Sequence, residues 1–184
     1  MEVRQAVRLI QGAVPRKSGI WADLGCGDGV FTRALAELIG PSGRIYAVDR
    51  DPRALSRLEQ RIPGHASVIP VLADFTRPLD LPERGGLLDG LLFANSLHYD
   101  PTPEITLTRW APRLAPMGRV IVVEYDRRAA NRWVPYPISP ARLAELAAAA
   151  GLSTPEVTGQ RPSAFTGILY AAVATWPGAP DPQA

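Results

Sequence analysis

Cysteine is nearly missing from this chain: Cys26 is the single example in 184 residues, which excludes an intramolecular disulfide and any cysteine cluster for a metal. Long apolar runs are missing too. No stretch approaches the ~20 residues that span a bilayer, and the opening Met1-Glu2-Val3-Arg4 lacks the hydrophobic region of a signal peptide, so a soluble, cytoplasmic protein is expected. Charge is not gathered in any block. Twenty basic residues stand against 18 acidic ones for a net charge of +2, and no basic run exceeds Arg127-Arg128. A nucleic-acid track needs clustering on one face or stripe, so the expectation is a solvated surface without a strong nucleic-acid signal. There is no internal repeat. With 46% hydrophobic residues the chain suits one domain with a proper core, and no room remains for a large second domain.

What the chain does have is concentrated in Trp21-Ala22-Asp23-Leu24-Gly25-Cys26-Gly27-Asp28-Gly29. An apolar run ends in an acid and is followed by glycines at alternate positions, which reads as a buried strand turning sharply into a helix around a small ligand. Gly25, Gly27 and Gly29 give backbone freedom where the main chain must approach that ligand, and Val30, Phe31, Ala34, Leu35 and Leu38 carry the helical spacing that follows. Asp49 comes 20 residues after Gly29, at the tip of the apolar run Ile45-Tyr46-Ala47-Val48. The whole reads as a βαβ nucleoside-binding unit with Asp49 placed for ribose hydroxyls. A dinucleotide site would be G-x-G-x-x-G and would receive a pyrophosphate; here Asp23 and Asp28 would repel one. Two carboxylates suit a cofactor carrying positive charge, and S-adenosylmethionine carries a sulfonium and an ammonium group but no phosphate.

At this point the sequence resembles the class I S-adenosylmethionine-dependent methyltransferases, whose first motif has the form acid-x-G-x-G-x-G. The resemblance runs on in order. Asp49-Arg50-Asp51-Pro52 is similar to the second motif, with the ribose acid. Val71-Leu72-Ala73-Asp74-Phe75 is similar to the third, where the acid faces the adenine amine and the apolar residue packs on the ring. The segment from Leu88 to Tyr99 resembles strand four and the loop after it, and the segment from Leu114 to Glu124 resembles the turn and fifth strand. Asp74 to Leu79, Asn95-Ser96-Leu97-His98 and Glu124-Tyr125 are most like small bacterial enzymes of the ubiquinone and menaquinone methyltransferase group. The resemblance implies an α/β, Rossmann-like class I methyltransferase fold: a mostly parallel seven-stranded sheet with an antiparallel last strand and helices on both faces. It also implies a cofactor set of Asp23, Gly25, Gly27, Gly29, Asp49, Arg50, Asp74, Phe75 and Asn95, and no metal.

Periodicity places the remaining elements. Val3, Val7, Ile10 and Val14 predict a helix over residues 2–13, which in this family usually covers the cofactor pocket. A helix over 30–39 stops at Gly40-Pro41. Asp51 caps the next helix and Pro52 takes its first position, with Ala54, Leu55, Leu58 and Ile62 facing inward. Strand three, 67–72, contains Pro70, which would remove a ladder donor and points to a sheet edge. Prolines and glycines over 76–87 predict a loop where a third crossover helix is usual. The crossover over 102–115 should kink or end at Pro112. Ser139-Pro140 starts the last helix and Gly151 ends it. Segments 156–160 and 167–174 supply the final strands, so one domain is expected over 1–175 with a loose tail over 176–184.

The reaction expected from the resemblance is in-line methyl transfer to a small organic acceptor. Because the sulfonium already activates the methyl group, holding the nucleophile at near-attack distance is the main task. The aromatic, basic loop over 126–138 and the N-terminal helix should close the acceptor site, with Trp133 and Tyr136 offering flat walls to an apolar or aromatic acceptor. His98 should point into the cleft as a positioning group or a base, and Glu124 at the neighbouring strand end could approach it in space. Asn95 is read as a backbone organiser near the methionine moiety. Two further readings stay open: an RNA methyltransferase using Arg127, Arg128, Arg132, Trp133 and Tyr136 as a contact loop, and a non-catalytic cofactor-binding partner subunit. The acids around the glycine turn argue against an NAD-linked oxidoreductase. Oligomeric state and the methylated atom are not legible.

Overall fold

A computed structural model describes residues 1–14, 18–58, 62–81, 86–127, 129–163 and 167–178. Its framework is a seven-stranded sheet in the order β3-β2-β1-β4-β5-β7-β6, built from β1 (Ile20–Leu24), β2 (Arg44–Asp49), β3 (Ser67–Leu72), β4 (Leu88–Ala94), β5 (Leu114–Asp126), β6 (Glu156–Pro162) and β7 (Ile168–Thr175). β3, β2, β1, β4 and β5 run parallel, while β7 is antiparallel to both β5 and β6. This is the mostly parallel α/β arrangement expected, and β3 with its Pro70 occupies the edge as a residue without a ladder donor requires.

The central strands are apolar on both faces because both faces are covered. Along each strand the side chains alternate. Trp21, Leu92, Ile121 and Val123 belong to one core with α1 (Val3–Ile10) and α2 (Val30–Ile39), whereas Ala22, Leu24, Leu91, Phe93, Val120 and Val122 belong to a second core with α4 (Pro103–Trp110) and α5 (Pro140–Ala149). Trp21 sits opposite Gly90 in register, and a Cβ on Gly90 would fall 2.2 Å from its ring. The missing side chain on β4 is therefore what admits the indole.

Several helix boundaries follow from local chemistry. α5 opens with Ser139 accepting from the Arg142 N–H and with Pro140 in its first turn, and Gly151 leaves it at φ +71°. α4 ends at Trp110, and a 3₁₀ turn over Ala111–Arg113 carries Pro112, since proline cannot supply the next helical N–H. α3 is only Pro52–Leu55, shorter than the sequence pattern implied. Its continuation tightens into 3₁₀ bonds, Arg57 N–H to Ala54 and Leu58 N–H to Leu55, and Ser56 Oγ turns back on the Arg53 carbonyl. Among the described residues no helix lies between β3 and β4. Trp176, assigned to a loose tail, is instead docked: its backbone exchanges bonds with Met117 and Gly118 and its ring packs on the second core. Residues 179–184 lie outside the described residues.

The N-terminal helix departs from expectation. α1 buries Ala6, Leu9 and Ile10 against α2 and β6, and none of its residues walls either cavity described below. It is a cover for one sheet face rather than a lid, because its apolar stripe matches the core left between α2 and the two last strands. Gly159 on β6 is the point of closest approach, where an added Cβ would meet the Leu9 carbonyl oxygen at 2.2 Å. Gly159→Ala should therefore push α1 off the sheet, lowering stability by about 1–3 kcal/mol as other overpacked sites do. Amide exchange of residues 3–10 should accelerate selectively; unchanged protection there would show that α1 does not depend on this contact.

Candidate active site

The turn after β1 is held from β2. Gly25 N–H (2.8 Å) and Cys26 N–H (3.0 Å) both donate to the Val48 carbonyl, and Gly27 N–H donates to Asp49 Oδ2 at 2.8 Å. Gly25 adopts φ +81°, and a Cβ on it would lie 2.5 Å from Ser96 Cβ and 3.1 Å from the Phe75 ring. That position must be bare for the turn, β4 and the β3 loop to converge. The resulting cavity has a volume of about 380 Å³ and is walled by Gly25, Gly27, Asp49, Arg50, Asp74 to Thr76, Asn95 and Tyr99 among others.

Each acid in this region has a distinct setting. Asp49 accepts the Gly27 N–H and, through Oδ1, the Asp51 N–H at 2.9 Å, which orients the carboxylate and leaves further lone pairs toward the cavity. Asp51 takes the capping role through the Arg53 N–H. Asp74 Oδ1 accepts from both the Thr76 N–H (3.0 Å) and hydroxyl (2.7 Å). Partial burial works against its ionisation, but those two bonds and the Arg50 and Arg77 charges prevail, and its pKa lies below the ordinary carboxylate value. Asp28 faces the surface with Arg57 at 3.1 Å, so it does not join the cavity.

Asp23 and Gly29 are not on the cavity wall either. Asp23 shares the inward face of Trp21 by strand alternation and lies fully buried under α2, where Thr32 Oγ1 donates to Oδ2 at 2.6 Å. Its other oxygen has no partner. Gly29, at φ +74°, begins α2 with its bare side against Leu58. Both shape the turn from behind.

The far wall depends on contacts the sequence did not signal. The Phe75 carbonyl accepts Trp110 Nε1–H at 3.0 Å, and the Thr76 carbonyl accepts Arg109 at 2.6 Å, so α4 pins the segment carrying Asp74. Phe75 meets Phe93 edge-on at 5.8 Å. Ser96 Oγ donates to the Leu24 carbonyl at 2.6 Å, tying the ends of β4 and β1.

A second cavity, of about 440 Å³, adjoins the first through Asn95 and Tyr99, which wall both. Its other walls are His98, Tyr125, Arg127, Asn131, Trp133 and Val134. Asn95 holds φ +53°, a conformation asparagine tolerates, and its buried Oδ1 has no partner. The 126–138 loop is stapled by Asn131 Oδ1, which accepts the Trp133 (2.9 Å) and Val134 (2.7 Å) N–H groups. Trp133 reaches the cavity with Arg132 stacked 4.4 Å over its ring. Tyr136, expected beside it, is not on the wall; its backbone N–H donates instead to the His98 carbonyl at 3.0 Å. Arg128 lies outside the described residues.

His98 is 2% exposed and its partner Glu124 is fully buried. Nδ1 lies 2.6 Å from Glu124 Oε2, and the His98 backbone N–H donates to Oε1 at 3.2 Å. The imidazole thus meets a carboxylate at the end of β5, brought to it by the parallel β4–β5 register in which Ala94 pairs with Val123. The ring packs against Tyr99 at 4.3 Å and Tyr125 at 6.1 Å.

A family model described as a methyltransferase domain matches residues 22–118. The ribosomal RNA small subunit methyltransferase H of Paracidovorax citrulli is 36% identical over 76 residues, 41% of this chain and 24% of that protein. Its counterpart from Thermomicrobium roseum is 35% identical over 91 residues, 47% of this chain and 27% of that protein. The chain thus spans about a quarter of these curated relatives. Among solved structures, magnesium protoporphyrin IX methyltransferase from Synechocystis with bound S-adenosylmethionine gives a TM-score of 0.68 at 18% identity, covering 94% of this chain and 77% of that one. The 1,6-didemethyltoxoflavin-N1-methyltransferase of Burkholderia thailandensis, with bound 1,6-didemethyltoxoflavin and S-adenosylhomocysteine, gives 0.68 at 24% identity and covers 94% and 76%. At these identities the structural likeness is one of fold.

Asp23 gives the turn a pH signature. Burial first, and the Asp49 charge to a smaller extent, outweigh the Thr32 bond and raise its pKa from 3.8 to about 7. The folded state therefore holds this proton more tightly than the unfolded chain does, a contribution present at low pH and lost as pH climbs from about 4 through about 7. Asp23→Asn should remove that decline. Denaturant titrations between pH 4 and 8 should show the variant gaining on the parent protein as pH rises, and a constant difference would mean Asp23 is ionised throughout.

Proposed function

This chain belongs to the methyltransferase-domain family, and we propose that it acts as one domain, extended past residue 175 by the docked Trp176, that transfers a methyl group from S-adenosylmethionine in the first cavity to a small acceptor in the second. The observation that carries the reading is the pair of cavities meeting at Asn95 and Tyr99, which supports two ligands held end to end as an in-line displacement needs.

The first cavity fits the cofactor's chemistry. Asp49 has lone pairs left for ribose hydroxyls, Asp74 stays ionised for an adenine amine, Phe75 offers a ring to stack, and the orphaned Asn95 Oδ1 would accept from the methionine amine. Gly25 and Gly27 leave room for the chain of the cofactor, with Arg50 on the rim. A pyrophosphate would meet two carboxylates here and lose more than Arg50 returns. Asp23 and Gly29 are assigned to building this turn. When bound, the sulfonium supplies an electrophilic methyl group; the residues supply position and exclude water.

The second cavity supports an aromatic or otherwise apolar acceptor, since Tyr99, Tyr125, Trp133 and Val134 dominate its walls. The names of the structural neighbours, a porphyrin and a toxoflavin methyltransferase, agree with a small-molecule acceptor. The curated relatives are named for ribosomal RNA, which keeps an RNA acceptor as a second reading; RNA binding that weakens steeply with salt would favour it.

Calorimetry should find S-adenosylhomocysteine bound and NAD not bound. Asp49→Ala should weaken the former by about 1.5–3 kcal/mol, the scale of hydrogen bonds to a charged group; unchanged affinity would remove Asp49 from the site. Trp133→Ala should impair acceptor turnover and spare cofactor affinity. Collapse of cofactor binding in that variant would place the loop in the first cavity instead.

A further inference from the structure

The His98–Glu124 pair asks for more than wall-building. A carboxylate with no exposure is costly unless it is paired. Both Glu124 oxygens are engaged by His98: Oε1 accepts from the backbone N–H and Oε2 lies within hydrogen-bond distance of Nδ1. If that contact is Nδ1–H donating to the carboxylate, Nε2 is the lone-pair nitrogen of the neutral imidazole, and this is the tautomer that proton uptake at Nε2 requires. A histidine needed only to fill the wall would be served by a backbone carbonyl, as His65 is at the surface by the Pro63 oxygen. Burying a second group that stabilises an imidazolium makes sense if an imidazolium forms.

We propose that the second cavity binds a flat aromatic acceptor bearing an acidic hydroxyl, and that His98 Nε2 takes the hydroxyl proton while Glu124 fixes the ring and stabilises the imidazolium. The proposal rests on the methyltransferase reading above. In the step, the O–H bond breaks with its proton passing to Nε2, an oxygen lone pair forms the bond to the methyl carbon, and the carbon–sulfur bond breaks toward sulfur. The products are a methyl ether, S-adenosylhomocysteine as a neutral thioether, and an imidazolium beside the Glu124 carboxylate. A neutral amine needs no such base, because its lone pair is free before transfer and its proton can leave afterwards. A hydroxyl profits most, and an acidic phenolic one suits an imidazole better than an alcohol does, because the gap in acidity that the proton must cross is smaller.

The surroundings agree. Aromatic walls from Tyr99, Tyr125 and Trp133 match a ring, and Arg127 on the same wall favours an oxygen gaining negative charge. Among the described residues, the titratable groups set against the pair besides Arg127 are Tyr99 from its own turn, Tyr125 from β5 and Tyr170 from β7. Tyr125 is shifted upward by burial, then by Glu124 and Tyr99, and Tyr170 is shifted upward by burial, then by Glu124 and Asp126, while it donates to the Ile138 carbonyl at 2.8 Å. Neither tyrosine competes as a base near neutrality. Glu124 acts through His98 and is a positioning residue.

Three measurements decide the matter. The chain has just two histidines, so long-range proton–nitrogen NMR on the parent protein can assign the His98 tautomer without a variant; Nδ1–H is expected, and Nε2–H would overturn the proposal. The second uses 4-nitrophenol as a probe with S-adenosylhomocysteine bound. Its phenolate absorbance should show an apparent pKa lowered by about one unit, a tenfold shift, that disappears in His98→Gln and Glu124→Gln and partly returns in Glu124→Asp. A probe that does not bind, or a shift that survives in His98→Gln, would overturn the proposal. In the third, turnover of a phenolic acceptor should rise with pH as a base that must shed its own proton requires, and in His98→Gln it should fall by ~10² to 10⁴ and lose that rise; a small loss with the rise intact would overturn the proposal. Retained S-adenosylhomocysteine affinity in these variants keeps the methyltransferase reading standing whatever the base result, whereas its absence in the parent protein would remove that reading itself.

Discussion

The Val48 carbonyl, accepting from two consecutive N–H groups after β1, is the joint on which the rest of the site depends. It bends the chain at Gly25 and brings the end of β1 against the end of β2. Asp49, the next residue, repeats the grip through its carboxylate on Gly27. Because three backbone donors of the turn are satisfied from β2, the turn needs no ligand to complete its hydrogen bonding. The sheet itself holds the turn in shape, which lowers the free energy that binding must spend on ordering it.

The sheet converts that joint into a site by aligning the carboxyl ends of its parallel strands. Asp49 at the end of β2, Asp74 after β3, Asn95 after β4 and Glu124 on β5 come from four separate stretches, and only parallel pairing sends all four toward one edge. The antiparallel β7 closes the other side of β5 with fully buried Tyr170, whose hydroxyl reaches the carbonyl of Ile138. In this way the sheet also anchors the exit of the loop that walls the second cavity.

Legibility in the sequence follows the range of the interactions. The order of strands and helices was readable because alternating and helical apolar patterns, caps and glycines act within a few residues, as Ser139-Pro140 and Gly151 do for α5. The length of α3 was not readable, since Ser56 and the 3₁₀ bonds after it compete with a pattern that fits a longer helix. The place of α1 was not readable either: an amphipathic stripe says that a face is buried, not against what. Within the glycine turn, sequence could not tell that Asp23 points under α2 while Asp28 points to solvent. The pairing of His98 with Glu124 spans 26 residues and needed the β4–β5 register before it could be more than a possibility.

Asn95 and Tyr99 stand as a party wall between two rooms. Changes at those two residues alter both rooms at once, whereas changes at Phe75 or Trp133 alter one. The loop that carries Trp133 holds its shape through its own Asn131 staple and takes no part in the glycine turn. Exchange of residues between that staple and Tyr136 would therefore recut the second room while leaving the first as it is. The fold separates a fixed half from an editable one, and the shape of the second room can be changed through a few loop residues rather than through the sheet.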